Sequence, residues 1–358
     1  MTAKPKKRKR ASRHDVVAAL RRDIVAGRFT PGAMMPTRIE LLQRFNAAPA
    51  TLQAAMNVLI AEGFITVSAS RHGTRIALAP PHLTHYKLIL PPVPHSASHY
   101  YTTLTNEAER IASTGPRRIG LFEGIAGHDD FDAYRQIVED VRLRRIRGLI
   151  FATGATEYKD TPLLTEPGMP RLAVAEDYEL AGVPKLHLSV DSFFDRAAAY
   201  LRAQGKRRPA ILVHSGFSPL WLEAPIRTRL HAHGLAFDPW LVQFADIKCP
   251  QSCNTFIQLV MRLPAAQRPD CLIVADDNLV DPATRALAAE PSAASRRLCI
   301  VAHANFPRPT PCHVPAVRLG FDIGALLTTA LHAIDEQSEG RPVPPFREIP
   351  AVFDHELP

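Results

Sequence analysis

Fourteen Lys and Arg residues against four Asp and Glu occupy residues 1–80, whereas residues 81–358 hold 29 and 31. The formal net charge of +8 is therefore carried by the first segment. Cation concentrated in this way does one kind of chemistry well: neutralising phosphates releases their counterions and gives affinity that is independent of sequence. Nucleic acid is the partner this points to. A membrane-surface patch and plain solvation are the competing readings, because the run Lys4 to Arg10 has the composition of a solvated tail. Covalent chemistry finds less support. The chain contains no His-Glu-x-x-His, Gly-x-Ser-x-Gly, glycine-rich phosphate loop or Cys-x-x-Cys, so neither an enzyme nor a cofactor is expected. Cys249-Pro-Gln-Ser-Cys253 has a spacing that can bind metal, but no second Cys/His pair lies close enough in sequence to complete four ligands. The pairs His231/His233 and Cys312/His313 are equally incomplete, and no metal site is expected.

The 358 residues exceed what a single core usually supports and predict two or three domains. At 46% hydrophobic and 22% charged, the chain has material for a real core. No run approaches the ~20 apolar residues of a membrane span, and no apolar segment follows the basic run to make a signal peptide. A cytoplasmic location is the expectation. Five scattered cysteines are an odd count, which predicts reduced thiols rather than a disulfide framework.

Elements able to position the charge follow the basic run. His14 to Gly27 sets Val16, Val17, Leu20, Ile24 and Val25 on one face, which predicts a helix stopped by Gly27. Thr30-Pro-Gly-Ala-Met-Met-Pro-Thr37 is turn-rich, and Thr37 with Glu40 three residues on predicts a capping box opening a helix through Phe45. After a break at Asn46 to Pro49, Ala50 to Glu62 places Leu52, Ala55, Met56, Leu59 and Ile60 together in a third helix. Phe64 to Val67 and Gly73 to Leu78 predict two short strands around a basic turn. Three helices and a hairpin make a winged helix-turn-helix, whose recognition helix enters the major groove.

The string Ile24 to Thr37, with Glu40-Leu-Leu, Phe45-Asn, Thr51-Leu, Glu62-Gly-Phe-Ile and Gly73-Thr74, resembles the DNA-binding domain of GntR-type bacterial transcription regulators over residues 14–78. The resemblance implies double-stranded operator DNA as the partner. It also exposes departures: the arginine usual after the Pro-Ser/Thr pair is Ile39 here, and those of the recognition helix are Pro49 and Gln53. Candidate DNA-contacting residues are Thr37, Arg38, Arg44, Thr51, Gln53, Arg71, Gly73 and Arg75. The arginines suit phosphates and Gln53 suits an adenine edge, whereas Thr37 serves as a helix cap or a phosphate donor.

Residues 1–13 read as a basic disordered arm, 79–84 as a linker and 85–358 as a separate α/β body. Strand patterns at His85 to Leu90, Arg118 to Glu123, Gly148 to Ala152, Leu172 to Ala175, Ala210 to His214, Cys271 to Ala275 and Leu298 to Ala302 alternate with helical ones. That alternation predicts doubly wound parallel sheets, with ligands at the carboxyl ends of strands. Arg145-Ile-Arg-Gly-Leu-Ile-Phe, Met169-Pro-Arg-Leu-Ala-Val, Val190-Asp191, Arg268-Pro-Asp-Cys-Leu-Ile-Val-Ala-Asp-Asp and Arg297-Leu-Cys-Ile-Val-Ala, in that order, resemble the effector-binding core of LacI/GalR-type repressors. The resemblance implies a two-lobed periplasmic-binding-protein-like core that closes on a small molecule and forms a homodimer. Three residues that clamp sugar hydroxyls in that family fall on Ala175, Leu222 and Ala304 here. Candidates left for the effector are His128, Asp129, Glu176, Asp177, Trp221, Asp276, His303 and Asn305, with helix capping the alternative for Asp277. The whole reads as a transcription regulator, a repressor by preference, controlled by a sugar-like effector. The alternative is a constitutive DNA-binding regulator whose pocket has degenerated.

Overall fold

The computed structural model describes residues 10–67, 73–91, 98–124, 132–153, 155–174, 180, 182–216, 219–290 and 295–357, the side chains of 219–221 and 296 excepted. The first domain is built from α1 (Arg13–Val25), α2 (Arg38–Phe45), α3 (Pro49–Ala61), β1 (Ile65–Val67) and β2 (Thr74–Ile76). Helix α1 claims Ser12 and Arg13, which the sequence reading leaves in the arm: Ser12 caps it in a box with Asp15. The Thr37–Glu40 box caps α2 as expected, and Asn46 ends that helix in the left-handed conformation at φ 47°. Pro49 opens α3, where its missing N–H costs nothing. Strands β1 and β2 pair antiparallel with Ile65 opposite Ile76. Val16, Leu20, Ile24, Leu41, Leu52, Leu59 and Phe64 fill the core between helices and hairpin.

Residues 79–84 are folded rather than loose. They include α4 (Pro81–Thr84), in which Pro81 and Thr84 are buried. His82 stacks on Phe64 with ring centroids 5.7 Å apart. Arg147 donates to the Leu83 carbonyl at 3.3 Å and to Glu339 at 3.1 Å, and also pairs with Asp335. Beside this strap, Glu62 accepts from Arg21 on α1 and from Arg145 in the body. The Arg21 and Glu62 side chains are only 7% and 10% exposed, so both charges are held away from water and each requires the other.

The body has two lobes. Lobe 1 carries a six-stranded sheet in the order β4 (Arg118–Glu123), β3 (His85–Leu90), β5 (Gly148–Phe151), β6 (Arg171–Val174), β7 (Lys185–Leu188), β13 (Phe346–Ile349), parallel throughout. Its helices are α5 (His99–Thr114), α6 (Asp132–Arg142) and α7 (Pro162–Thr165). Lobe 2 orders its strands β9 (Val242–Ala245), β8 (Pro209–His214), β10 (Cys271–Val274), β11 (Cys299–Phe306), β12 (Val317–Asp322), β14 (Val352–Phe353), with only β14 antiparallel to its neighbour. Its helices are α8 (Val190–Ala203), α9 (Pro219–Ala232), α10 (Gln251–Met261) and α11 (Val280–Ala289). The chain crosses between lobes after β7, after β12 through α12 (Ile323–Ser338), and between β13 and β14. One apolar cluster, with Tyr86, Leu104, Phe193, Phe321 and Leu331, runs through both lobes. Gly148 makes the seating of α12 possible, since a Cβ there would meet Ile334 Cγ2 at 2.5 Å and the Pro170 carbonyl at 2.9 Å.

The Glu62 site generates a prediction. Glu62→Gln leaves Arg21 and Arg145 facing a neutral amide and is expected to destabilise the first domain by about 3 kcal/mol. In amide exchange, α1 and α3 should open ahead of lobe 2. An unchanged exchange pattern in that variant would contradict the stabilising role given to Glu62.

Candidate nucleic-acid interface and inter-lobe cleft

The exposed face of α3 is ordered by side chains from two helices. Arg38 reaches from α2, donating through Nη1 to Gln53 Oε1 at 3.2 Å and through Nη2 to the Pro49 carbonyl at 3.3 Å. Gln53 in turn donates to Asn57 Oδ1 at 3.0 Å. Asn57 was missed by sequence reasoning, although its i, i+4 spacing from Gln53 was a usable signal. The Thr37 hydroxyl donates to Glu40 at 2.9 Å and accepts from the Glu40 N–H at 3.3 Å, which is the capping role. The Thr37 backbone and hydroxyl hydrogen bonds hold the Glu40 carboxyl below its ordinary range.

Other candidates divide. Arg44 is paired with the buried carboxylate of Asp23, which Arg28 also holds, and its guanidinium lies over the Phe45 ring at 4.9 Å. It therefore completes the domain's own charge balance. Arg75 on β2 is exposed and donates to the Gly32 carbonyl at 3.1 Å. Thr51 is half-buried in the first turn of α3. Gly73 starts the return strand of the wing at φ +82°, where a side chain would be strained and its Cβ would sit 3.1 Å from Met34. Arg71 lies outside the described residues.

In the body, the lobes meet where the His99 N–H donates to Asn278 Oδ1 at 2.9 Å. The Tyr100 hydroxyl donates to the Ala152 carbonyl at 3.1 Å, bracing the start of α5. Asp276 follows β10 and accepts from the Asn278 backbone at 2.9 Å and from its amide at 2.8 Å. The capping role expected of Asp277 thus belongs to Asp276. Asp277 is instead buried and receives the amide of Asn305, so the nitrogen of Asn305 is committed within the core. His303 lies between Phe193 and Phe321, with centroids 5.3 and 5.6 Å away. Its Nδ1 is buried without a hydrogen-bond partner among the described residues. Burial lowers the His303 imidazole to about 4, against the pull of Asp276, so the ring is neutral at pH 7. Leu222 and Ala304 are both buried, Leu222 within the apolar cluster that runs through both lobes. His128, Asp129, Glu176 and Asp177 lie outside the described residues, as does the side chain of Trp221. All five cysteines are free thiols, and the described residues contain no group of three metal-ligating side chains.

Asp277 makes the stability of lobe 2 depend on pH. Burial, reinforced by the charge of Asp276, pushes its carboxyl from 3.8 up to about 8. The native state then keeps a proton that the unfolded chain has released, so stability falls as pH rises from about 4 toward 8. His303 acts in the opposite sense, costing stability as pH falls from 6.5 toward 4, which leaves the window from 6.5 to 8 to Asp277. Asp277→Asn is expected to flatten the decline in that window in urea unfolding; an unchanged slope would remove Asp277 as its source.

Residues 13–76 match the family model for bacterial regulatory proteins of the gntR family. No curated protein matches the chain. Among solved structures, it is similar to a LacI family transcriptional regulator from Lactobacillus casei with bound glucose, at 18% identity and a TM-score of 0.54, covering 76% of this chain and 98% of that one. It is also similar to the Escherichia coli transcriptional repressor ascG, at 16% identity and a TM-score of 0.57, covering 75% and 97%. A regulatory protein of the LacI family from Chloroflexus aggregans, at 14% identity and a TM-score of 0.56, covers 75% of this chain and 96% of its own. At such identities the likeness is one of fold. The chain thus joins a GntR-type DNA-binding domain at residues 13–76 to a body with the fold of the LacI-family regulators.

Proposed function

We propose that this protein is a cytoplasmic, homodimeric transcription regulator that holds operator DNA through α3 and the wing and acts as a repressor. The observation that carries the reading is the excess of positive charge in residues 1–80, attached to a domain whose α3 leaves Gln53 and Asn57 exposed. Two such domains related by a dyad suit half-sites one helical turn, roughly 34 Å, apart. The full chain is expected to bind duplex DNA with an affinity that drops at least tenfold between 50 and 200 mM salt. Gln53→Glu, which sets a carboxylate against the groove, should weaken binding by a similar factor. Salt-insensitive binding, or none, would sink the reading.

The effector is proposed to be a small polar molecule of the sugar class, held between the lobes. Asp276 is the described residue best placed for it, because it stands at a strand's carboxyl end with one oxygen already oriented by Asn278. His128, Asp129, Glu176, Asp177 and Trp221 complete the proposed set. His303 supplies a neutral ring with an unmet nitrogen, whereas Asn305 serves by fixing Asp277. Glucose in one similar structure supports the class. A second reading, a regulator that no longer answers to any ligand, is favoured by the burial of Leu222 and Ala304 where the resemblance leads one to look for charged groups.

Thermal shift against sugars and sugar acids separates the two. A ligand at a hundred times its Kd stabilises the native state by about 2.7 kcal/mol. The shift should disappear in Asp276→Ala. Tight DNA binding with no shift across the panel would favour the unresponsive regulator.

A further inference from the structure

The hydrogen bonds on α3 fix which atoms it offers to the major groove. A guanidinium only donates, so the Gln53 atom facing Arg38 is its oxygen. The Gln53 nitrogen is thereby turned to Asn57, and only the Asn57 oxygen can receive it. Each amide's orientation follows from the one before, starting from the one group that has no acceptor. Each amide oxygen already accepts one hydrogen bond inside the row and keeps one lone pair, so unused donors outnumber unused acceptors. The donors left for a partner are the rest of the Arg38 fork, the second Gln53 N–H and the two N–H groups of Asn57. All three residues are exposed, so this surface is open to a duplex.

We infer that Arg38, Gln53 and Asn57 form a donor-rich row that reads guanine, with Arg38 as the residue that sets the preference. Guanine shows two acceptors, N7 and O6, in the major groove, while adenine shows one acceptor beside a donor. A donor row matches the first and clashes with the second. Bidentate reading of adenine by Gln53, the expectation from sequence, requires its oxygen and nitrogen to face the base together. Here an adenine amino group brought to that oxygen would also meet the Arg38 guanidinium, donor against donor. The cation missing from the recognition helix at positions 49 and 53 is in effect returned to the surface of α3 from the start of α2.

This inference rests on the proposal that α3 binds DNA, and the experiment separates the two. The full-length protein selects ligands from a randomised duplex pool, and the enriched site is then tested by competition with single base-pair changes. The expected half-site contains guanine opposite α3, and exchanging that G·C for A·T weakens binding roughly tenfold. Arg38→Ala frees the Gln53 oxygen and should bring the preference close to unity or toward adenine. Asn57→Asp replaces two donors with acceptors and should shift the adjacent position toward cytosine, whose amino group donates. Thermal unfolding of each variant confirms that it folds, as exposed positions predict. Enriched DNA with adenine at these positions, or a guanine preference that survives Arg38→Ala, overturns the donor row while leaving the regulator reading in place. A pool from which nothing is enriched overturns both.

Discussion

Glu62 holds two guanidiniums that belong to different parts of the chain, and the arrangement of the molecule depends on that shared charge. Arg21 comes from the first helix of the DNA-binding domain and Arg145 from lobe 1, 83 residues beyond Glu62. With Glu62 so nearly enclosed, neither arginine in this junction could exchange it cheaply for water. The stacking of His82 on Phe64 and the grip of Arg147 on the Leu83 carbonyl act on the same joint from the other side. Arg147 also holds α12, the helix that enters lobe 1 from lobe 2. The joint is therefore continuous with the crossover that relates the lobes, and the DNA-binding domain is seated on lobe 1 rather than trailing from it.

Much of the architecture was legible in local chemistry. The Thr37–Glu40 box, the break at Asn46 and Pro49, and the apolar spacing in α1 and α3 placed the first three helices within a residue or two. Strand β3 begins and ends where the sequence pattern puts it. Strands β7, β9 and β12 were missed because Lys-Leu-His-Leu, Val-Gln-Phe-Ala and Val-Arg-Leu-Gly-Phe-Asp lack the continuous apolar runs that mark buried parallel strands. Helix α11 was hidden by Pro282, which is tolerated in a first turn.

The candidate sites were less legible, since they depend on pairs distant in sequence. Arg44 looks like a phosphate ligand until Asp23 is found against it. Arg38 looks like surface charge until its fork is seen on Gln53. Asn305 stood among effector candidates, and its bond to Asp277 ties it into the protein interior. In each case the residue type was noticed and its partner was not, because no periodicity links helices or strands that meet only on folding.

The contrast between the two sets of arginine contacts has a consequence for ionic strength. Mobile ions screen charges that water can reach and act much less on enclosed pairs. The Arg38 surface belongs to the first kind, and the Arg21–Glu62 pair to the second. Salt sufficient to lift the protein from phosphates would leave its DNA-binding domain seated on the body. The molecule released from DNA would then already hold the arrangement it needs to bind again, with no domain to re-order at each encounter.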